Sequence, residues 1–441
     1  MIDDPDMQSQ DNARSRSGTA NRDVDWAFNC YVLFSFFVMY LVGTALIVVS
    51  WVATEHGSIA LVGQLYFTGG FVSIALSAIG GVLVDRRSRR SMILRSQGLR
   101  VIAACTLLAG LQREAWLTFG LFSFTILNAA GPAISVGAMG GAFQSFFPSD
   151  RRMNVVLRLS IVGQAGFIFG SGAAGTILHI WGETACATVF LLISIGIVFL
   201  GEYFTRGMSL PIDKDKTHFL KEWRDGFNYI FDSPQIILPI VGVSLIFSVA
   251  QMTNTIVPGF VRDTLHAGSN VFGLLEAAWS AGGGFILLMS ATLQRRDWKS
   301  GLEFLLLALL GAAMIGFALS QWITLSVILY AAMGGLFCLS RALCNGRLLT
   351  LTDPAHIGRT QALSSMLTST MGMAMYMLPT LVRIDDISLY YQVWGVAIII
   401  LGLVFAVLSW RLSSRALRRP GTVHRARQGC GSPTMRGRQS G

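Results

Sequence analysis

The sequence predicts an all-α membrane protein of twelve transmembrane helices in two six-helix bundles, on three observations. Of its 441 residues, 53% are hydrophobic and only 13% charged, against roughly 25% charged in an ordinary soluble domain. The charges gather in short clusters between apolar runs of about 20 residues or more, the length that crosses a bilayer. Lysine and arginine are abundant in every second connection and sparse in the others. The length left over suffices for short loops, two polar tails and one longer connection, which excludes a sizeable soluble domain.

Residues 1–25 begin Met-Ile-Asp-Asp-Pro-Asp and stay polar. They lack the basic start and short apolar core of a secretory signal and are expected to form a cytoplasmic tail. Crossings follow at about 26–53, 59–83, 92–111, 115–147, 152–180 and 184–204, an N-terminal bundle over 26–204. Residues 205–234 form the linker. Within it, Phe219, Trp223, Phe227 and Ile230 share one helical face, which predicts an amphipathic helix over 218–231 lying along the membrane interface. It serves as a tether between the halves or, alternatively, as a regulatory surface. The C-terminal bundle, 235–410, has crossings at about 235–259, 269–293, 300–319, 322–349, 358–382 and 387–410. Residues 411–441 are rich in Arg, Gly, Ser and Pro and predict a disordered basic tail.

The basic connections hold Arg86, Arg87, Arg89 and Arg90, then Arg151 and Arg152, then Arg206, Lys214, Lys216, Lys221 and Arg224, then Arg295, Arg296 and Lys299. The poor side has Arg113, Arg262 and Arg383. Both termini are therefore expected in the cytoplasm. The excess of 34 Lys+Arg over 24 Asp+Glu is a topology signal, so nucleic acid is not an expected partner, whereas the lipid bilayer is. The six cysteines form no CxxC pair and the six histidines are scattered. No metal site, structural disulfide or cofactor is expected.

The most specific local pattern follows the second crossing, Gly80-Gly81-Val82-Leu83-Val84-Asp85-Arg86-Arg87-Ser88-Arg89-Arg90. Asp85 offers a carboxylate at the membrane edge that the arginines can bridge to helix ends or lipid phosphate, which makes the cluster a candidate gating latch. A positive-inside signal would need the arginines but not the Gly-x-Leu-x-Asp spacing. The sequence resembles here the major facilitator superfamily, whose second-to-third-helix loop reads Gly-x-Leu-Ala-Asp-Arg-x-Gly-Arg-Lys. Gly81, Leu83, Asp85, Arg86 and Arg89 match, Arg90 replaces the lysine, and Ser88 replaces a glycine. Asp232-Ser-Pro234, Val257-Pro-Gly-Phe-Val261, Phe272-Gly-Leu-Leu-Glu276 and Thr352-Asp-Pro-Ala-His-Ile-Gly-Arg359 look like the branch with macrolide-efflux and enterobactin-export proteins. The resemblance implies the major facilitator fold, no enzymatic activity, and a bacterial cytoplasmic (inner) membrane.

Exporters of this superfamily often carry Gly-x-x-x-Gly-Pro-x-x-Gly-Gly in the fifth helix. This chain keeps Gly166, Gly170 and Gly175 but has Ser171 and Ala174 in place of the proline and a glycine. Ordinary close helix packing explains the same small residues equally well. The arginine common in the fourth helix of proton-coupled drug exporters is absent. Polar groups within the spans are costly in hydrocarbon and should face a cavity or each other. Glu276 in the eighth crossing is the proton-coupling candidate, with structural pairing as its alternative. Asn128, Gln164, Gln251, Asn254 and Arg341, with the aromatic rings Tyr31 and Trp279, are the substrate-cavity candidates; Phe34 and Tyr40 are further candidate walls. Arg100 and Arg158 are expected to snorkel from helix ends.

Together these imply a monomeric secondary transporter exporting an amphipathic small molecule, a drug or siderophore, by alternating access with protons as the coupling partner. Uptake of a metabolite such as a vitamin or iron chelate is the alternative. A non-transporting sensor or scaffold is the alternative from another class. A membrane enzyme would need convergent nucleophile and base groups, such as paired His and Asp on adjacent spans, and no such set is present.

Overall fold

A computed structural model of the chain describes residues 5–84, 88–146, 152–205, 234–293, 300–353, 356–382 and 386–417. Asp85 and Arg86, the amphipathic helix expected over 218–231, and the tail from 418 lie outside these residues. Every long element is a helix: α1 Pro5–His56, α2 Ile59–Val84, α3 Arg89–Leu111 and α4 Glu114–Phe146. One helical run, Arg152–Thr205, then doubles back at Gly182, whose φ of 80° and ψ of −178° no helix contains. That backbone conformation is open to glycine because it has no Cβ to clash. The limbs are α5 (152–181) and α6 (183–205). The second half follows with α7 Pro234–Gly259 and the π-helical turn Phe260–Thr264, then α8 Ser269–Leu293, α9 Leu302–Leu319, α10 Ile323–Leu351, α11 Ile357–Leu381 and α12 Ile387–Leu417.

The helix boundaries fall close to those the hydropathy predicts, with two departures. α1 starts at Pro5 and runs through the polar stretch expected as a tail, and α12 continues to Leu417. Both are extensions of an apolar span into adjoining polar sequence without an internal proline, where adding residues to an existing helix is far easier than nucleating one. Nine described segments are long and apolar enough to cross a membrane, and the segment Val155–Thr205, at 51 residues, accommodates two passages about Gly182. α8 and α11, 25 residues each, reach about 37 Å at 1.5 Å per residue. Large apolar side chains such as Phe119, Leu192, Phe199, Phe285 and Val407 are exposed around the outside, an arrangement that water would penalise and hydrocarbon accepts.

Within the first half α1 packs along the 152–205 run, and α4 against both α2 and α3. Within the second, α12 packs on α9, α10 on α8 and α9, and α7 on α10 and α11. The halves meet along two seams, α5 with α8 and α2 with α11. Exchanging each helix for the one six places away converts one seam into the other, the relation expected of two parallel repeats about an axis along the membrane normal. The end at which α2, α4 and α8 finish, at Val84, Phe146 and Leu293, is called the basic end; residues 57, 112, 182, 265 and 320 mark the opposite end.

Candidate functional site

The seams are tightest from mid-depth to the opposite end. On the first, Gly175 and Gly273 face each other so closely that a Cβ on either would lie 2.9 Å from the other's Cα. Ser269 Oγ donates to the Gly175 carbonyl at 3.1 Å, and nearer the middle Gln164 Nε2 donates to the Ser280 carbonyl at 3.0 Å. On the second, Gly63 lies against the Tyr376 carbonyl, and Thr380 Oγ1 donates to the Ala60 carbonyl at 3.3 Å. Arg262, in the π-helical turn of the second half, donates to the Thr54 carbonyl near the C-terminus of α1, where helix carbonyls lack partners and a cation is favoured. Trp51 of α1 stacks on Phe272 of α8 with ring centroids 6.2 Å apart.

At mid-depth the halves part around a cavity of about 380 Å³. α1, α2 and α4 supply its first wall, including Tyr66, Phe124, Thr125 and Asn128. α7 and α11 supply the facing wall, including Phe247, Gln251, Met373 and Tyr376. A second cavity of about 540 Å³ lies nearer the basic end between α1, α4 and α5, walled by Tyr31, Phe34, Phe143, Val156 and Gln164 among others. Among the described residues, no Asp or Glu lines either one.

The candidates read from sequence therefore separate. Asn128 and Gln251 line the central cavity; Tyr31 and Gln164 line the second. Trp279 packs against Tyr330 and Phe337 at 5.1 and 5.6 Å between ring centroids. Arg341 is exposed, its guanidinium carbon 5.9 Å from the ring centres of both Phe247 and Phe337. Asn254 is half-buried on α7 and lines neither cavity. The three glycines expected to act as one packing motif serve two contacts: Gly166 and Gly170 lie on the backbone of α1 at Phe36 and Tyr40, and Gly175 lies on α8. Of the loop pattern, Gly81 and Leu83 end α2, and Arg90, in the first turn of α3 after Arg89, pairs with Glu202 of α6.

Glu276 is buried inside the second half, and Tyr330 Oη donates to its Oε1 at 2.9 Å. It lines neither cavity. Ser50 and Tyr66 are hydrogen-bonded to each other, and Tyr66 belongs to the central cavity wall.

Arg100 corrects the expectation of snorkelling. It is 4% exposed and sits eleven residues into α3, too far from either end for its side chain to leave the bundle. Gly131 lets α4 approach the Ser96 carbonyl of α3, which brings Arg100 against Asn128. Arg100 Nε donates to Asn128 Oδ1 at 3.3 Å and Nη1 to Gln97 Oε1 at 3.0 Å. Arg158 is exposed, as a snorkelling side chain should be. A further buried charge escaped the sequence analysis: Glu303 of α9, 1% exposed, accepts from Arg347 Nε of α10 at 2.9 Å. Arg347 also donates to Ser300 Oγ, which lies 2.8 Å from Ser409 Oγ of α12. Glu303 carries the same signal as Glu276, a carboxyl within an apolar span.

Comparisons with known proteins agree with this architecture. Among curated proteins there is no match. A bacterial homologue of the iron transporter ferroportin, in an inward-facing state, superposes with a TM-score of 0.71 at 14% identity, covering 87% of this chain and 98% of its own. The peptide transporter POT in complex with sulfate gives 0.68 at 13%, covering 87% and 94%. The nucleoside transporter NupG gives 0.66 at 15%, covering 86% and 98%. At such identities the likeness is one of fold. The family model of the Major Facilitator Superfamily matches residues 31–376, most of the twelve-helix body, and with the paired seams and central cavity this places the chain in that superfamily as a membrane transporter.

Proposed function

We propose that the chain exports an amphipathic small molecule by alternating access, taking protons in exchange through Glu276. The carrying observation is the central cavity, walled by both halves at mid-depth, with the seams between the halves tight from there to the opposite end. A binding site at the interface of the repeats, reached from one side at a time, is what rocking of two bundles produces. The second cavity lies nearer the basic end, which supports reading this arrangement as the state open to the side of the Arg-rich connections, taken here as the cytoplasm of a bacterial inner membrane. The apolar and aromatic lining suits a substrate with an apolar body. Glu276 is the carboxyl that a proton cycle requires, buried and held among the described residues by one side-chain hydrogen bond. Asp85, in the connection after α2, acts as a latch between the halves at the basic end, and one chain suffices for the cycle.

The test is flux in inside-out and right-side-out vesicles against a panel of macrolides, siderophores and vitamins. Accumulation in inside-out vesicles whose lumen is acidified, lost when the pH gradient collapses, supports export by proton exchange. Accumulation in right-side-out vesicles instead assigns uptake, and binding without flux in either preparation assigns a sensor.

A further inference from the structure

The N-terminal wall of the central cavity carries hydrogen-bond donors without matching acceptors. A guanidinium only donates, so the atom of Asn128 facing Arg100 is its amide oxygen. The Asn128 Nδ2 group, with two donor hydrogens, has no partner among the described residues and belongs to a side chain that lines the cavity. One turn earlier on α4, Thr125 lines the same cavity and its hydroxyl is buried without a partner. Behind both lies Arg100, a buried cation whose hydrogen bonds among the described residues go to the neutral oxygens of Gln97 and Asn128. The ion pairs of the described residues all involve other cations. Burying a charge this way is expensive unless an opposite charge arrives. From the other half, Arg341 lies exposed over Phe247, itself part of the cavity wall. Among the described residues no carboxylate lines either cavity, a cation stands behind a lining residue in each half, Arg100 behind Asn128 and Arg341 at Phe247, and Phe124, Met373 and Tyr376 offer an apolar surface.

We propose that the central cavity recognises an amphipathic organic anion, its oxyanion held by Asn128 and Thr125 with Arg100 behind them, and Arg341 drawing it in. Arg100 is a positioning residue here: it fixes which way the Asn128 amide turns and polarises its donors. This names the substrate class of the transport function proposed above and rests on that reading for the role of the cavity.

The experiment is equilibrium binding to the full chain, purified in detergent, of three matched probes: 1-naphthoate, the neutral 1-naphthamide and the cation 1-naphthylmethylammonium. Naphthoate is expected to bind at least about tenfold more tightly than the other two. Arg100→Gln should weaken naphthoate by about tenfold or more and leave naphthamide unchanged, and Arg100→Lys, which keeps the charge, should recover part of the loss. Asn128→Asp supplies Arg100 with a carboxylate, so this variant stays folded; it should lose naphthoate and gain the cation. Arg341→Gln should weaken naphthoate with a reduced salt dependence. Equal binding of the three probes, binding of none of them, or anion preference unchanged in both Arg100→Gln and Asn128→Asp overturns the proposal. No gradient is present in this measurement. Anion selectivity without vesicle flux therefore defeats the transport reading alone, and flux without anion selectivity defeats this inference alone.

Discussion

Arg100 and Glu276 are both ionisable side chains buried within apolar spans, yet the sequence distinguishes them wrongly. A carboxyl in an apolar stretch is rare, which makes Glu276 conspicuous in the sequence, and it is buried with the Tyr330 hydroxyl as its hydrogen-bond partner among the described residues. Arg100 carried the same signal, but a long basic side chain can also reach the interface, and linear position does not give the rotation of a helix about its axis. Only the approach of α4 to α3 at Gly131 decides that it turns inward. Glu303 is the third such group, and its removal is expected to act on stability. Glu303→Gln leaves Arg347, which also bonds Ser300, without its carboxylate, and should cost about 1.5–3 kcal/mol, the usual worth of a hydrogen bond to a charged group, visible as a lower thermal midpoint in detergent. Glu276→Gln should instead leave stability within about 1 kcal/mol, since the amide still accepts from Tyr330. It should flatten the dependence of transport on pH; unchanged pH dependence removes Glu276 from the coupling.

At the scale of elements, hydrocarbon thickness made the helices legible. A span has to be about 20 residues long whatever it packs against, so the boundaries followed from composition, including the break near 181–183 that Gly182 makes sharp. What each helix touches was not legible. Gly166, Gly170 and Gly175 looked like one motif, but a helix as long as α5 drifts past one neighbour and onto another, so the first two seat α1 and the third seats α8 across the seam. This separates two mutational effects. Gly170→Val should disrupt folding, because α1 and α5 belong to one bundle. Gly273→Val should leave the bundles folded but push α5 and α8 apart at the opposite end. A cysteine replacing Trp51, which stacks on Phe272 there, should then react with a water-soluble maleimide roughly several-fold faster, as a population shift toward opening at that end requires. Equal labelling with and without Gly273→Val would mean that the glycine contact does not close that end.

For the whole molecule, the arrangement of halves was legible from the counting of crossings and the single long connection, and the exchange of α5–α8 with α2–α11 expresses the same repeat in three dimensions. The cavity lining was not, because it depends on which faces the two bundles turn toward each other. In the proposed function this cavity opens to one face at a time. The most direct measurement is pulsed-EPR distances between spin labels on the two halves, in a cysteine-depleted chain in lipid nanodiscs. One pair, at positions 55 and 263, reports the opposite end, and the other, at positions 88 and 350, reports the basic end. Varying pH and adding transported substrate should change the two distances in opposite senses, the pair at 55 and 263 lengthening as the pair at 88 and 350 shortens. Distances that stay fixed under every condition, or that lengthen and shorten together, would contradict alternating access in this protein.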